Sequence, residues 1–131
     1  MRKHRVLVFG KQGCDKCKVL NQRLDTLTAK PDWAEFEKVY HDLETEDGLV
    51  AFCKTECVNP HRIPAFVVAR ADEGSGEYKL LPARPRQEVD PVCGRSRLYG
   101  CLGLETDYSD QGRGVITPKM IETVLAEARG G

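Results

Sequence analysis

The sequence lacks the features that mark a nucleic-acid-binding or membrane protein. Its 131 residues carry 20 Lys and Arg against 20 Asp and Glu, so the formal net charge is zero. Balanced charge gives no electrostatic footprint for nucleic acid or for an anionic membrane surface. No apolar run approaches the roughly 20 residues of a membrane-spanning helix. We therefore expect partners that are neither nucleic acid nor membrane.

The N-terminus also lacks a complete export signal. Residues 1–5 are largely basic, but the apolar run that follows, residues 6–9, is far too short for the hydrophobic region of a signal peptide. Internal repeats, coiled-coil heptads and low-complexity tracts are missing as well. The sequence therefore predicts a cytoplasmic protein, and its length predicts a single domain over residues 1–131.

Cysteine, by contrast, is abundant. Six cysteines are more than packing requires in a compartment that keeps thiols reduced unless they are catalytic or metal-bound. Cys14 and Cys17 form a C-x-x-C pair soon after the apolar run 6–9. At a strand-to-helix junction, such a pair is typical of a redox-active dithiol.

Hydrophobic periodicity predicts alternating strands and helices. Strands are expected over residues 5–9, 36–43, 65–71 and 77–81, with 98–104 as a candidate for one further short strand. Helices are expected from the cysteine pair to residue 30, from 46 to about 57, and from 118 onward. The first strand, helix and strand form a βαβ unit, so its two strands should be parallel.

Each predicted helix has an apolar face. The first helix has Val19, Leu20, Leu24 and Leu27; the second has Leu49, Val50, Phe52, Cys53 and Cys57; the last has Met120, Ile121, Val124, Leu125 and Ala128. Residues 82–114 show no such pattern and are expected to form a long loop or insertion before the last helix.

Two motifs in this order of elements resemble the thioredoxin-like superfamily, most closely its small glutaredoxin-like branch. One is Lys11-Gln12-Gly13-Cys14-Asp15-Lys16-Cys17, which is similar to the family's Lys-x-x-Cys-x-x-Cys. The other is Ile63-Pro64-Ala65, which is similar to the cis-proline loop that lies against the active-site sulfurs. The resemblance implies an α/β three-layer fold with a four-stranded mixed sheet, flanking helices and the insertion.

The resemblance also implies a thiol–disulfide oxidoreductase, with Cys14 as the nucleophile and Cys17 as the resolving thiol. Disulfide exchange needs a thiolate. At a helix N-terminus Cys14 would face unsatisfied N–H groups and the positive end of the helix dipole, which favour that thiolate. Lys11 and Lys16 lie close in sequence, and their positive charges would also favour the thiolate.

Substrate binding is implied at Ile63 and Pro64, with Lys11 as a further contact if the substrate is glutathione. The sequence departs from the family between the cysteines and has no Trp before them. Glu105-Thr106-Asp107 is the nearest candidate for the turn that completes a glutathione site. A protein disulfide and a glutathione mixed disulfide therefore both remain candidate substrates. Thioredoxin reductase or glutathione would be the reductant, and no cofactor is expected beyond glutathione as a co-substrate.

Four cysteines lie outside this motif and leave alternatives open. Cys53 and Cys57 fit the apolar stripe of the second helix, and His61 follows at the same spacing of four. Cys93 and Cys101 could form a second disulfide, or join Cys53 and Cys57 in a four-thiolate zinc or iron–sulfur site. For the whole protein, the alternatives to an oxidoreductase are therefore a metal- or cluster-binding protein and a thioredoxin-fold binding module without catalysis.

Overall fold

The computed structural model describes residues 3–55, 58, 62–72, 74–82, 101–106 and 116–130. These ranges contain the strands β1 (His4–Gly10), β2 (Phe36–Asp42), β3 (Ala65–Ala71), β4 (Tyr78–Leu80) and β5 (Gly103–Glu105). They also contain the helices α1 (Asp15–Thr28), α2 (Glu46–Thr55) and α3 (Pro118–Gly130), and a 3-10 turn at Pro31–Trp33. Most of the expected insertion at residues 82–114 lies outside the described residues.

β1 lies at the centre of the sheet. It pairs in parallel with β2, with His4 opposite Phe36, as the βαβ unit predicts. On its other side it pairs antiparallel with β3, with Val6 opposite Val68. Val6, Val8 and Phe9 are fully buried, as expected for a strand covered by helices on both faces.

The sheet has five strands, so the prediction of four is wrong. β4 is only three residues long and pairs with residues 69–71 of β3. The first half of β3 then still presents unpaired backbone groups, which need partners when buried. β5 supplies them by pairing antiparallel with residues 65–67. The candidate strand at 98–104 thus corresponds to β5 at Gly103–Glu105, while residues 98–100 lie outside the described residues.

Two apolar clusters occupy opposite faces of the sheet. On one face the leucines of α1 and the apolar side of α3 pack on β1 and β3; the α3 members are Met120, Ile121, Val124, Leu125 and Ala128. On the other face Ala51 and Phe52 of α2 pack against Phe9 and Val67. Helix, sheet and helix form three layers around a mixed sheet, which confirms the predicted three-layer α/β class of the fold.

The buried face of α2 differs from the predicted stripe. Leu49 and Val50 are 49% and 48% exposed, and Cys53 is exposed as well. Gly48 and Thr55 are buried instead. A Cβ on Gly48 would lie 1.9 Å from the carbonyl oxygen of Asp42, so the helix contacts the end of β2 through its glycine. That contact sets the rotation of the helix and leaves Leu49, Val50 and Cys53 outside, while Phe52 of the predicted stripe still packs on the sheet. Cys57 lies outside the described residues.

Within the part of the chain that the structure describes, no helix combines the length and apolar character needed to span a membrane.

His4 is fully buried at the start of β1, although its position near the basic N-terminus favours a surface location. Its ring stacks on Phe36 with centroids 4.8 Å apart, and its Nε2 accepts a hydrogen bond from Nε of Arg70 at 3.3 Å. The carboxylate of Glu35 lies 3.8 Å from Nδ1. Burial lowers the pKa of His4, and Arg70 lowers it further, while Glu35 acts in the opposite direction.

We expect the free energy of unfolding to fall as the pH drops below about 6.5, the pKa of an unperturbed histidine. The native state holds His4 neutral, whereas the unfolded chain takes up the proton first. One such group gives a slope of at most about 1.4 kcal/mol per pH unit. The slope ends once the pH passes below the lowered pKa of the folded state.

Urea unfolding at several pH values between 7 and 5 measures this slope. His4→Gln, which keeps an acceptor for Arg70, should have a flatter profile than the wild type. Burial also lowers the pKa of His41, so His41→Gln is run separately to subtract its share. Parallel profiles for the wild type and His4→Gln would show that His4 does not change protonation in this range.

Candidate active site

A tight loop places Cys14 at the first position of α1. Gly13 has a φ of +76°, the left-handed conformation that favours glycine. Cys14 then acts as the N-cap of α1, with an extended backbone at φ −97° and ψ 111°. Its Sγ accepts a hydrogen bond from the N–H of Cys17 at 3.2 Å. The sulfur thus takes the place of the oxygen acceptor that usually caps a helix.

The two sulfurs of the dithiol differ in exposure. Cys14 is half-buried, whereas Cys17 is only 2% exposed. Both are free thiols. A nucleophile and a resolving thiol require this arrangement: the substrate can reach the outer sulfur directly but not the inner one.

The pKa of Cys17 is raised to about 12, first by burial and then by a hydrogen bond with the side chain of Cys14. Lys11 lowers the pKa of Cys17 through a backbone hydrogen bond and through its charge. No carboxylate is among these influences. Cys17 is therefore a protonated thiol at neutral pH and reacts only when its proton leaves.

The two lysines predicted to stabilise the thiolate lie on different sides of the dithiol. Lys11 lines a hollow of about 430 Å³ together with both cysteines. Lys16 lines a second hollow of about 210 Å³ together with Pro64. Both side chains are exposed. The structure thus places Lys11 at the hollow that both cysteines line, and Lys16 at a hollow that is lined by Pro64 but by neither cysteine.

The proline loop, which directly precedes β3, lies next to the apolar cluster that contains Cys17. The Ile63–Pro64 peptide bond is cis, as the resemblance implies. Ile63 is buried in the apolar cluster that contains Cys17 and that Cys14 packs against. Thr106 donates its backbone N–H to the carbonyl of Pro64 at 3.1 Å, and its hydroxyl donates to the same oxygen. The predicted substrate-binding residues therefore lie beside the dithiol.

The expected turn after the last strand is described only in part. Glu105 and Thr106 are buried, and Glu105 pairs with Arg62 at 3.6 Å. Both hold the proline loop, and Thr106 also lines the hollow of about 210 Å³ beside it. Asp107, the third residue of that candidate, lies outside the described residues.

Sequence reasoning missed Tyr40, which lines the larger hollow with Lys11 and the two cysteines. Tyr40 is on β2 and pairs with Val8 of β1. A parallel register of the first two strands would have placed residue 40 near the carboxyl end of β1, where the dithiol loop begins. The sequence predicted the parallel pairing of these strands but not the register that brings Tyr40 there.

The remaining cysteines separate into described and undescribed positions. Cys53 is a free, exposed thiol on α2, and Cys101 is buried beside β5 and disulfide-bonded. Cys57, His61 and Cys93 lie outside the described residues. A disulfide-bonded cysteine offers no thiolate to a metal, so the state of Cys101 disfavours the four-thiolate site. Its pairing with Cys93 stays a prediction.

The sequence matches no model of a known protein family and no curated protein. Among solved structures, the chain is similar to oxidised mitochondrial thioredoxin 3 from Saccharomyces cerevisiae, with 18% identity and a TM-score of 0.42 over 60% of this chain and 64% of that one. The chain thus spans less than two thirds of the length of that thioredoxin. It is also similar to a malarial protein, with 11% identity and a TM-score of 0.48 over 96% of this chain and 97% of that one.

Proposed function

We propose that the protein is a thiol–disulfide oxidoreductase of the glutaredoxin-like type that works in the cytoplasm. The observation that carries the proposal is the hydrogen bond from the N–H of Cys17 to Sγ of Cys14 at 3.2 Å. This bond, and the positive end of the α1 dipole, stabilise negative charge on the sulfur that a substrate can reach.

In the first step, the Cys14 thiolate attacks one sulfur of the substrate disulfide. A mixed disulfide forms, and the other substrate sulfur leaves as a thiolate that takes a proton from water. In the second step, Cys17 gives its proton to solvent and attacks Sγ of Cys14. The second substrate thiolate leaves, so the substrate has gained two electrons and the protein holds a Cys14–Cys17 disulfide.

The hollows beside the dithiol support a disulfide substrate presented by a protein or by glutathione. Ile63 and Pro64 offer an apolar wall next to the sulfurs, and Lys11 offers a cation for a carboxylate. Glutathione or thioredoxin reductase would return the Cys14–Cys17 disulfide to the dithiol. The proposed reaction needs no metal or organic cofactor because sulfur carries both electrons.

Reduction of insulin disulfides, with dithiothreitol as the electron donor, tests this function. The purified protein should accelerate the reaction well above the rate of dithiothreitol alone. Cys53→Ser is the matched control because it removes the exposed thiol on α2, away from the site. It should keep the full rate.

No acceleration by the wild-type protein would overturn the proposal. Loss of the rate in Cys53→Ser would show that the activity depends on Cys53 of α2 and not on the dithiol alone.

A further inference from the structure

Tyr40 and Cys17 come from different elements and meet at Gly10. A Cβ built on Gly10 would lie 3.2 Å from Sγ of Cys17 and 3.2 Å from Cε2 of Tyr40. Both distances are tighter than ordinary van der Waals contact to a Cβ, so glycine at the end of β1 lets the two groups approach. The edge of the tyrosine ring and the inner sulfur are therefore neighbours across Gly10.

The ring also forms part of the boundary between this sulfur and water. Cys17 is 2% exposed and Tyr40 is 37% exposed. Both line the hollow of about 430 Å³ in front of the dithiol. β2 is the outer strand of the sheet on this side. Removing the ring would therefore widen the hollow toward Cys17.

We propose that Tyr40 is a positioning residue that shields the Cys17 thiol from water and thereby slows its attack as the resolving nucleophile. The proposal rests on the proposed function and adds to it a residue outside the two motifs.

The charges around the pair indicate that this effect comes from excluding water. Burial is the largest influence that raises the pKa of Tyr40, and electrostatic interactions with Asp42, Cys17, Cys14 and Glu44 raise it further. The phenol therefore stays neutral at neutral pH and brings no charge to Cys17. The charge of Lys11 lowers the pKa of Cys17 and so opposes the effect of burial.

A nitroaryl disulfide whose released thiolate is coloured tests the proposal. Attack by Cys14 releases one coloured thiolate and leaves the second aryl group on Sγ of Cys14. Attack by Cys17 then releases the second in a phase that does not depend on reagent concentration. All proteins carry Cys53→Ser so that the exposed thiol of α2 adds no signal. Cys17→Ser identifies the second phase because it should lack it.

Tyr40→Thr should accelerate the second phase and shift its pH profile toward lower pH. Each unit by which the pKa of Cys17 falls gives ten times more thiolate but a less nucleophilic one, for a net gain of about three- to fourfold. Threonine is chosen because it suits a strand, and Tyr40→Val replaces it if the threonine variant does not fold. Tyr40→Phe keeps the ring and should match the parent protein.

A second phase in Tyr40→Thr or Tyr40→Val with the parent's rate and pH profile would overturn the proposal. Equal acceleration in Tyr40→Phe would overturn it too, since the effect would then come from the tyrosine hydroxyl and not from shielding by the ring. A parent protein without any phase that depends on Cys17 would refute the proposed function and the role of Tyr40 together. A Cys17-dependent phase with no response to Tyr40 would refute only the latter.

Discussion

Cys14→Ser is expected to reduce the rate of insulin reduction at least about 100-fold, to the background of the reductant. A hydroxyl is not ionised at neutral pH, so serine supplies no anionic nucleophile even though its oxygen can still accept the Cys17 N–H. The helix cap is thus kept while the attacking atom is lost. Urea unfolding of Cys14→Ser should match the wild type closely, which separates loss of chemistry from loss of fold.

Cys17→Ser is expected to fail at the next step. Cys14 still attacks, but nothing inside the protein displaces the substrate from its sulfur. A covalent adduct of one substrate per protein should accumulate, visible by mass spectrometry and removed by dithiothreitol. The adduct should be missing from Cys14→Ser and from a protein carrying both changes.

The pair of variants distinguishes a redox enzyme from a binding module on the same fold. Full activity in both single variants would contradict the assignment of the dithiol. An adduct on Cys14→Ser, and none on Cys17→Ser, would show that the two sulfurs have the opposite roles. Cys53→Ser again serves as the control for any thiol outside the loop.

The region around the dithiol could be predicted because its signals are local. An apolar run ends at Gly10, a left-handed glycine follows, and Cys14 caps the next helix through an atom three residues away. The last helix has the same character: the hydroxyl of Thr117 accepts the N–H of Met120 at 3.3 Å. Strand ends and helix caps of this kind depend on neighbours in sequence.

The features that could not be predicted depend on contacts between distant segments. A further short strand was a candidate at residues 98–104, but its pairing with the part of β3 that β4 leaves uncovered was not predictable from those residues. His4 is buried because Arg70 and Phe36 surround it, although the local sequence is basic. Tyr40 reaches the dithiol through the register of β1 and β2, which apolar periodicity alone does not specify.

The second helix shows why periodicity can give the wrong face. Leu49, Val50 and Cys53 belong to the predicted apolar face of α2, yet all three are exposed. Ala51 and Phe52 pack on the sheet, and Gly48 approaches the backbone at the end of β2 closely. A hydrophobicity pattern records side chains, and glycine has none, so the pattern could not predict this contact.

Gly48→Ala is therefore expected to destabilise the protein, although alanine is the better helix former by about 1 kcal/mol. The new methyl carbon would lie 1.9 Å from the carbonyl oxygen of Asp42 and 2.6 Å from its carbonyl carbon. Backbone atoms cannot rotate away as the end of a side chain can. The helix or the strand must move, and overpacking of this kind costs about 1–3 kcal/mol or more.

The carbonyl of Asp42 is also fixed by other bonds. It accepts the backbone N–H of Thr45 at 3.0 Å and the hydroxyl of Thr45 at 2.7 Å. That hydroxyl in turn accepts the N–H of Gly48 at 3.1 Å, which caps α2. A shift that relieved the clash would stretch these bonds, so we place the net loss near the upper end, at about 3 kcal/mol.

Urea unfolding of Gly48→Ala and Gly74→Ala measures the difference. Gly74 lies in the exposed turn before β4, where a Cβ would meet nothing closer than 3.7 Å, the carboxylate oxygen of Asp72. Its variant should stay within about 0.5 kcal/mol of the wild type. A Gly48→Ala protein as stable as the wild type, or more stable by the helix propensity of alanine, would show that α2 does not rest on Asp42. The exposed faces of Leu49 and Val50 would then need another explanation, because the contact that turns them outward would be missing.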